Sequence, residues 1–147
     1  MDDIIIQIAD ALVAALNAAP FSLPFEAVRR YRPEYTLAEL AELRVTVVPK
    51  GYAAEMADRS RDEEDIQIDV AVQKKLGSSD GRIDQAAADS LMRLVGEIRR
   101  ATRRLRLATT PPAIRVKTEN VPIYSPEHME TKGVFTSVLT ITFRVVQ

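Results

Sequence analysis

The chain has 147 residues, 46% of them hydrophobic and 28% charged, with a formal net charge of −1. That length fits a single domain over 1–147 able to bury a core without covalent staples. The absence of cysteine and the presence of one histidine, His128, exclude disulfide frameworks, thiol nucleophiles, cysteine zinc sites and paired-histidine metal motifs. No cofactor and no enzymatic activity are expected. No apolar run reaches the length of a membrane span, and Asp2 and Asp3 stand where a signal peptide needs positive charge, so no membrane partner is expected.

Charge is unevenly spread. Residues 1–80 carry 9 basic and 15 acidic groups, whereas residues 81–147 carry 11 and 6. The two halves therefore have net charges of −6 and +5, a polarity suited to self-association. Arginine outnumbers lysine fifteen to five, and its planar fork favours bidentate contacts with carboxylates at interfaces.

Residues 3–16 read as an amphipathic helix, with Ile5, Ile8, Ala9, Leu12, Val13 and Leu16 on one face. Asp2 or Asp3 is placed to cap it, Asn17 to end it, and Pro20 to prevent continuation. Phe25 to Tyr35 reads as a short strand, and the segment from Thr36 as a helical turn or connector. Leu43 to Pro49 is a strand with Leu43, Val45 and Val47 inward. A polar loop is expected over 50–64, then a strand over Ile66 to Lys75 with Ile66, Ile68, Val70 and Val72 on one face.

Gly77 to Gly81 breaks the chain, with Ser79 or Asp80 positioned to cap a helix from about Arg82 to Leu105. Its apolar stripe is Ile83, Ala87, Leu91, Leu94, Val95, Ile98 and Leu105. Six arginines and one glutamate fall between Arg93 and Arg106, more than the helix dipole alone calls for. Thr109 to Pro112 stops the helix, Ala113 to Thr118 forms a short strand, and 119–133 reads as a second polar loop. Val134 to Val146 is a final strand reaching on the order of 40 Å, long enough to run beyond its own sheet. The expected fold is α+β: a mostly antiparallel sheet with two helices on one face, in the order α-β-β-β-α-β-β.

Candidate chemistry is sparse. The acidic run Asp62, Glu63, Glu64, Asp65 lacks the spacing and turn glycine of a calcium loop and reads as solvated. His128 lies in a polar loop with no nucleophile beside it. The glycines at 77 and 81 do not form a phosphate loop. A nucleic-acid role for the arginines lacks neighbouring aromatics. A subunit interface is favoured instead, with Arg93, Arg99, Arg100, Arg103 and Arg104 facing the Asp62, Glu63, Glu64 and Asp65 of a neighbour. In the two loops, Tyr52, Met56, Ile123, Tyr124 and Met129 are the apolar groups expected to anchor contacts that order on binding.

The run RRYRPEYTLAELAELRVTVVPK (Arg29 to Lys50), the Ser60–Arg61 pair in ADRSRDEED and the strand DIQIDVAVQKKL (Asp65 to Leu76) resemble tail terminator proteins of long-tailed bacteriophages. The similarity continues through the following amphipathic helix and the long final strand, so it covers nearly the whole chain. It implies a non-enzymatic α+β subunit of a ring, hexameric in that family, that caps the tail tube, stops its polymerisation and offers a surface for head joining. It also implies its partners: further copies of itself, a major tail tube protein, a head-completion protein, and DNA only as it passes through the lumen. The implied location is the virion, at the top of the tail, after assembly in the host cytoplasm. Another head–tail connector or tail-tube-like protein, or a nucleic-acid-binding domain, remains as an alternative.

Overall fold

The computed structural model describes residues 2–79 and 82–147. Helix α1 spans Ile4–Ala18 and buries Ile8, Ala9, Leu12 and Leu16, the stripe that the three-and-four spacing predicts. Asp3 holds the N-cap position without a side-chain cap bond; its carbonyl accepts the first intrahelical bond, from the Gln7 backbone N–H at 3.0 Å. Asn17 does more than end the helix. Its side chain brackets Ala27, accepting from the Ala27 N–H at 2.7 Å and donating to the Ala27 carbonyl at 3.1 Å. That clamp seats β1 (Ala27–Arg29), which is three residues long where a strand over Phe25 to Tyr35 was expected. Pro33 and a short 3-10 turn at Glu39–Ala41 carry the chain away from the sheet edge.

Strands β2 (Arg44–Met56) and β3 (Asp62–Lys75) form one long hairpin. The polar loop expected over 50–64 is therefore mostly strand, and only 57–61 turn. Its polar residues lack an alternating pattern because β2 is exposed on both faces from Tyr52 to Met56. One extra residue between Pro49 and Gly51 bulges β2 and re-phases the pairing. At the tip, Asp58 accepts from the Ser60 and Arg61 amides and pairs with the Arg61 guanidinium at 2.8 Å.

A small two-stranded ribbon, β4 (Ser78–Ser79) with β5 (Arg82–Ile83), precedes helix α2 (Gln85–Thr102). The cap is Asp84, whose carboxylate accepts from the Ala87 amide at 3.1 Å, rather than Ser79; Asp80 lies outside the described residues. Helix α2 ends three residues before Leu105, so Arg103 and Arg104 lie in the turn that follows. Strands β6 (Arg106–Leu107) and β7 (Ala113–Glu119) come next.

The second expected loop contains helix α3 (Pro126–Lys132). Ser125 caps it, Pro126 opens it, and Gly133 closes it in the left-handed region at φ 63°. Seven residues are too few to show an apolar stripe, so only the capping residues signalled it. Strand β8 (Val134–Val146) pairs with β3 along its whole length, from Lys75↔Val134 to Glu63↔Val146. It does not run past its own sheet, because the equally long β3 accompanies it.

The sheet order is β1-β2-β3-β8-β7-β6. Pairing is antiparallel except for β1 with β2, which is parallel, so the sheet is mixed and the fold is α+β with three helices. One core joins α1 and the α2 residues Leu91, Leu94, Val95 and Ile98 to alternate residues of β2, β3 and β8. Helix α3 lies along the stretch of β8 that β7 leaves unpaired, with the Ser125 amide bonded to the Thr136 carbonyl at 2.8 Å. The accessible surface of 8790 Å² exceeds the roughly 7,500 Å² that size scaling gives a compact chain of this mass.

Candidate interaction surfaces

The acidic run on β3 is split by strand alternation. Glu63 and Asp65 share the face away from the helices with Arg144, directly opposite Asp65 on β8. The Arg144 Nε lies 2.5 Å from Glu63 and 2.8 Å from Asp65, and its Nη2 donates to the second Asp65 oxygen at 3.1 Å. These bonds from Arg144 hold the Asp65 carboxyl below the usual carboxylate range, and Asp65 in turn raises the guanidinium. Glu64 points to the helix side and is buried, accepting from the Tyr52 hydroxyl at 3.0 Å and from the Gln147 side-chain amide. That carboxylate pushes the Tyr52 phenol up. Asp62 is exposed. The run is thus part of a paired strand and not a solvated loop, and two of its four carboxylates are spent on Arg144.

Farther along the same sheet face, Thr140 donates to Asp69 at 2.6 Å and accepts from Lys50 at 3.3 Å. Charges on this face are largely satisfied by one another. It has little unspent charge to offer a partner.

The arginine cluster is different. Arg93, Arg99, Arg100, Arg103, Arg104 and Arg106 are all exposed, and among the described residues none forms an ion pair. The one carboxylate among them, Glu97, is taken by the connector after α1: it accepts from the Ser22 amide at 2.9 Å and hydroxyl at 2.8 Å. Those two bonds, helped by the nearby Arg100 and Arg93, hold Glu97 below the usual carboxylate range. Arg115 donates to the carbonyl of Arg103 at 2.8 Å and ties the end of α2 to the β6–β7 edge. The structure therefore brings Arg103, Arg104, Arg106, Arg115 and Lys117 to one edge of the sheet. The acidic hairpin lies toward the other. Within one chain the two groups do not meet.

The expected loop anchors divide similarly. Met56 is 76% exposed near the hairpin tip and Tyr52 is 53% exposed on β2, so both sit on strand and not on loop. Ile123 is half exposed, whereas Tyr124 stacks on Phe135 with ring centroids 6.3 Å apart. Met129, on α3, packs partly buried against the core and is not a free anchor. His128 uses its Nδ1 to meet the Thr136 hydroxyl at 2.9 Å, a structural contact.

Sequence reading missed a groove of about 640 Å³ beside β1, where Arg30 and Arg44 each approach the Tyr35 ring, at 4.6 and 5.5 Å from its centroid. Arg44 also donates to the Glu39 carbonyl at 3.1 Å, which fixes the turn that forms one wall. Tyr35, spaced five residues from Arg30, carried no periodic signal that could have revealed this stacking. Among the described residues, no group of three or more histidines and carboxylates is placed to hold a metal ion. Nor is any helix long and apolar enough to cross a membrane. No protein-family model matches this chain, and no curated protein matches it.

Proposed function

We propose that the chain is a non-enzymatic ring subunit of a long-tailed bacteriophage, a tail terminator that caps the tail tube and stops its polymerisation. One observation carries this reading. Arginines unpaired among the described residues at the α2 side of the sheet and a hairpin of net negative charge toward the other edge make a subunit whose opposite sides carry opposite charge. Such a subunit associates head to tail, and heterologous contacts of that kind close into rings when the rotation allows. A ring that ends tube growth has to hold the tube below and offer no matching surface above. The internally paired charges of the sheet face suit the second requirement, and the exposed Tyr52, Met56 and Ile123 suit the first.

On this reading the partners are further copies of the chain, a tail tube protein, a head-completion protein and the DNA passing through the lumen. The hexameric number comes from the family resemblance alone. Cryo-electron microscopy of intact virions tests the placement: density for this chain at the top of the tail supports it, and density elsewhere in the particle overturns it.

A further inference from the structure

The sheet has two open edges, and they differ in charge. On one side β1 covers β2 only at Val45, Thr46 and Val47, with the Arg30 amide donating to the Val47 carbonyl at 3.0 Å. From Val48 to Met56, β2 has no partner on that side among the described residues. On the opposite side β6 covers β7 only at Ala113 and Ile114, with the Arg115 amide reaching the Leu105 carbonyl at 3.1 Å. Val116 to Glu119 are likewise uncovered among the described residues.

Strand alternation shows which backbone groups are free. The Val47 carbonyl points away from β3, and the extra residue at the bulge shifts the phase by one. Gly51, Ala53 and Glu55 therefore bond to β3, and the N–H and C=O groups of Tyr52, Ala54 and Met56 point outward. On β7 the Arg115 amide already points outward, and the register places Thr118 in the same set. Open strand edges are usually blunted by proline, lysine or a bulge. Pro49, Lys50 and the bulge do this for the start of the free β2 edge. Nothing comparable guards Tyr52-Ala53-Ala54, a small, uncharged stretch.

We infer that the free β2 edge of one copy adds to the free β7 edge of the next, joining the sheets of neighbouring subunits through main-chain hydrogen bonds. The inference rests on the ring reading and names the contact that would build it. Three observations select a second copy as the occupant. The hairpin over 52–65 carries six carboxylates and two arginines, net −4, or −3 with the Arg144 that pairs with it, and of these carboxylates Glu55 and Asp62 have no ion pair among the described residues. The segment over 103–119 carries four arginines, one lysine and one glutamate, net +4. The two edges are opposite margins of one sheet, so a single rotation presents each to the other. Finally, three successive antiparallel pairings leave β7 antiparallel to β2. Because the same pairings set Thr118 level with Pro49, four residues short of Ala54, the rotation axis inclines to the strands, as in closed barrels, and the antiparallel addition then brings Ala54 beside Thr118.

The chain has no cysteine, which gives a clean background for cross-linking. Cysteines at Ala54 and Thr118 in the same chain, treated with a short thiol–thiol cross-linker at millimolar protein, should give a ladder of multimers ending at the closed ring. Either single variant should give at most a background of dimers. Ala54→Pro removes one outward N–H without touching the bonds to β3, and should weaken association by about fivefold, the effect of one lost hydrogen bond. If light scattering shows multimers of the unmodified chain but the double variant cross-links no more than the singles, edge pairing is wrong and the ring reading survives. A chain that stays monomeric at millimolar concentration also overturns edge pairing, and imaging of virions then judges the functional reading separately.

Discussion

Arg144 meets Asp65 through two parallel hydrogen bonds, 2.8 Å from Nε and 3.1 Å from Nη2, across directly opposed positions of β8 and β3. The fork of a guanidinium on a carboxylate fixes orientation as well as distance, so the pair pins the register of the two longest strands near the turn of the β2–β3 hairpin.

The pair sets a pH dependence. Asp65 titrates below its ordinary value in the folded chain, so the folded state binds that proton less tightly than the unfolded one. Its contribution is complete above the unfolded value of about 3.9 and is lost as pH falls through the lower folded value. With both side chains about a third exposed, the contribution should stay below about 1 kcal/mol. Asp65→Asn should therefore melt a few degrees lower than the parent at neutral pH, and the difference should vanish by about pH 2. A difference that persists there would show that the asparagine disturbs packing instead.

Charge reversal at Arg99 and Arg103 separates folding from association. Both side chains are exposed and unpaired, so Arg99→Glu with Arg103→Glu should change monomer stability by no more than about 1 kcal/mol, mainly through the helix dipole. Self-association measured by sedimentation should fall by about tenfold or more, and the parent's association should weaken as salt rises. Equal association of variant and parent would mean the arginines are merely solvated.

Gly133 ends α3 with φ 63° and open space where a Cβ would sit. Gly133→Ala then carries a backbone penalty and no clash, about 1–2 kcal/mol by urea denaturation. An unchanged midpoint would mean that the end of α3 rearranges without cost.

Phe143 is fully buried in the shared core, opposite Ile66 on β3. Phe143→Ala should cost about 3–5 kcal/mol, enough to consume much of the stability of a domain this size. A loss under about 1 kcal/mol would require the helices to close over the cavity.

The sequence by itself determined the core and the class of the fold. Val45, Val47, Ile66, Ile68, Val70, Val72, Phe135, Leu139, Ile141 and Phe143 are inward because alternation on a strand is a local property that one buried face imposes. The stripes of α1 and α2 are legible for the same reason at the helical period. The exposure of the α2 arginines also follows from that period, since a stripe facing the core leaves the remaining faces to solvent. Tertiary structure alone decided the rest. The stretch from Tyr52 to Asp65 looks like a loop because β2 there has no buried side to pattern; it is strand because β8 is long enough to extend β3 and, through β3, the hairpin. The parallel β1 exists because Asn17, the last polar residue of a helix, happens to reach the backbone of Ala27. Which carboxylates of the acidic run remain free depends on Arg144, seventy-nine residues beyond Asp65, and no local pattern encodes a partner at that separation. Periodicity records what a residue needs from its own element, whereas edges, registers and long-range ion pairs are set only when the elements meet.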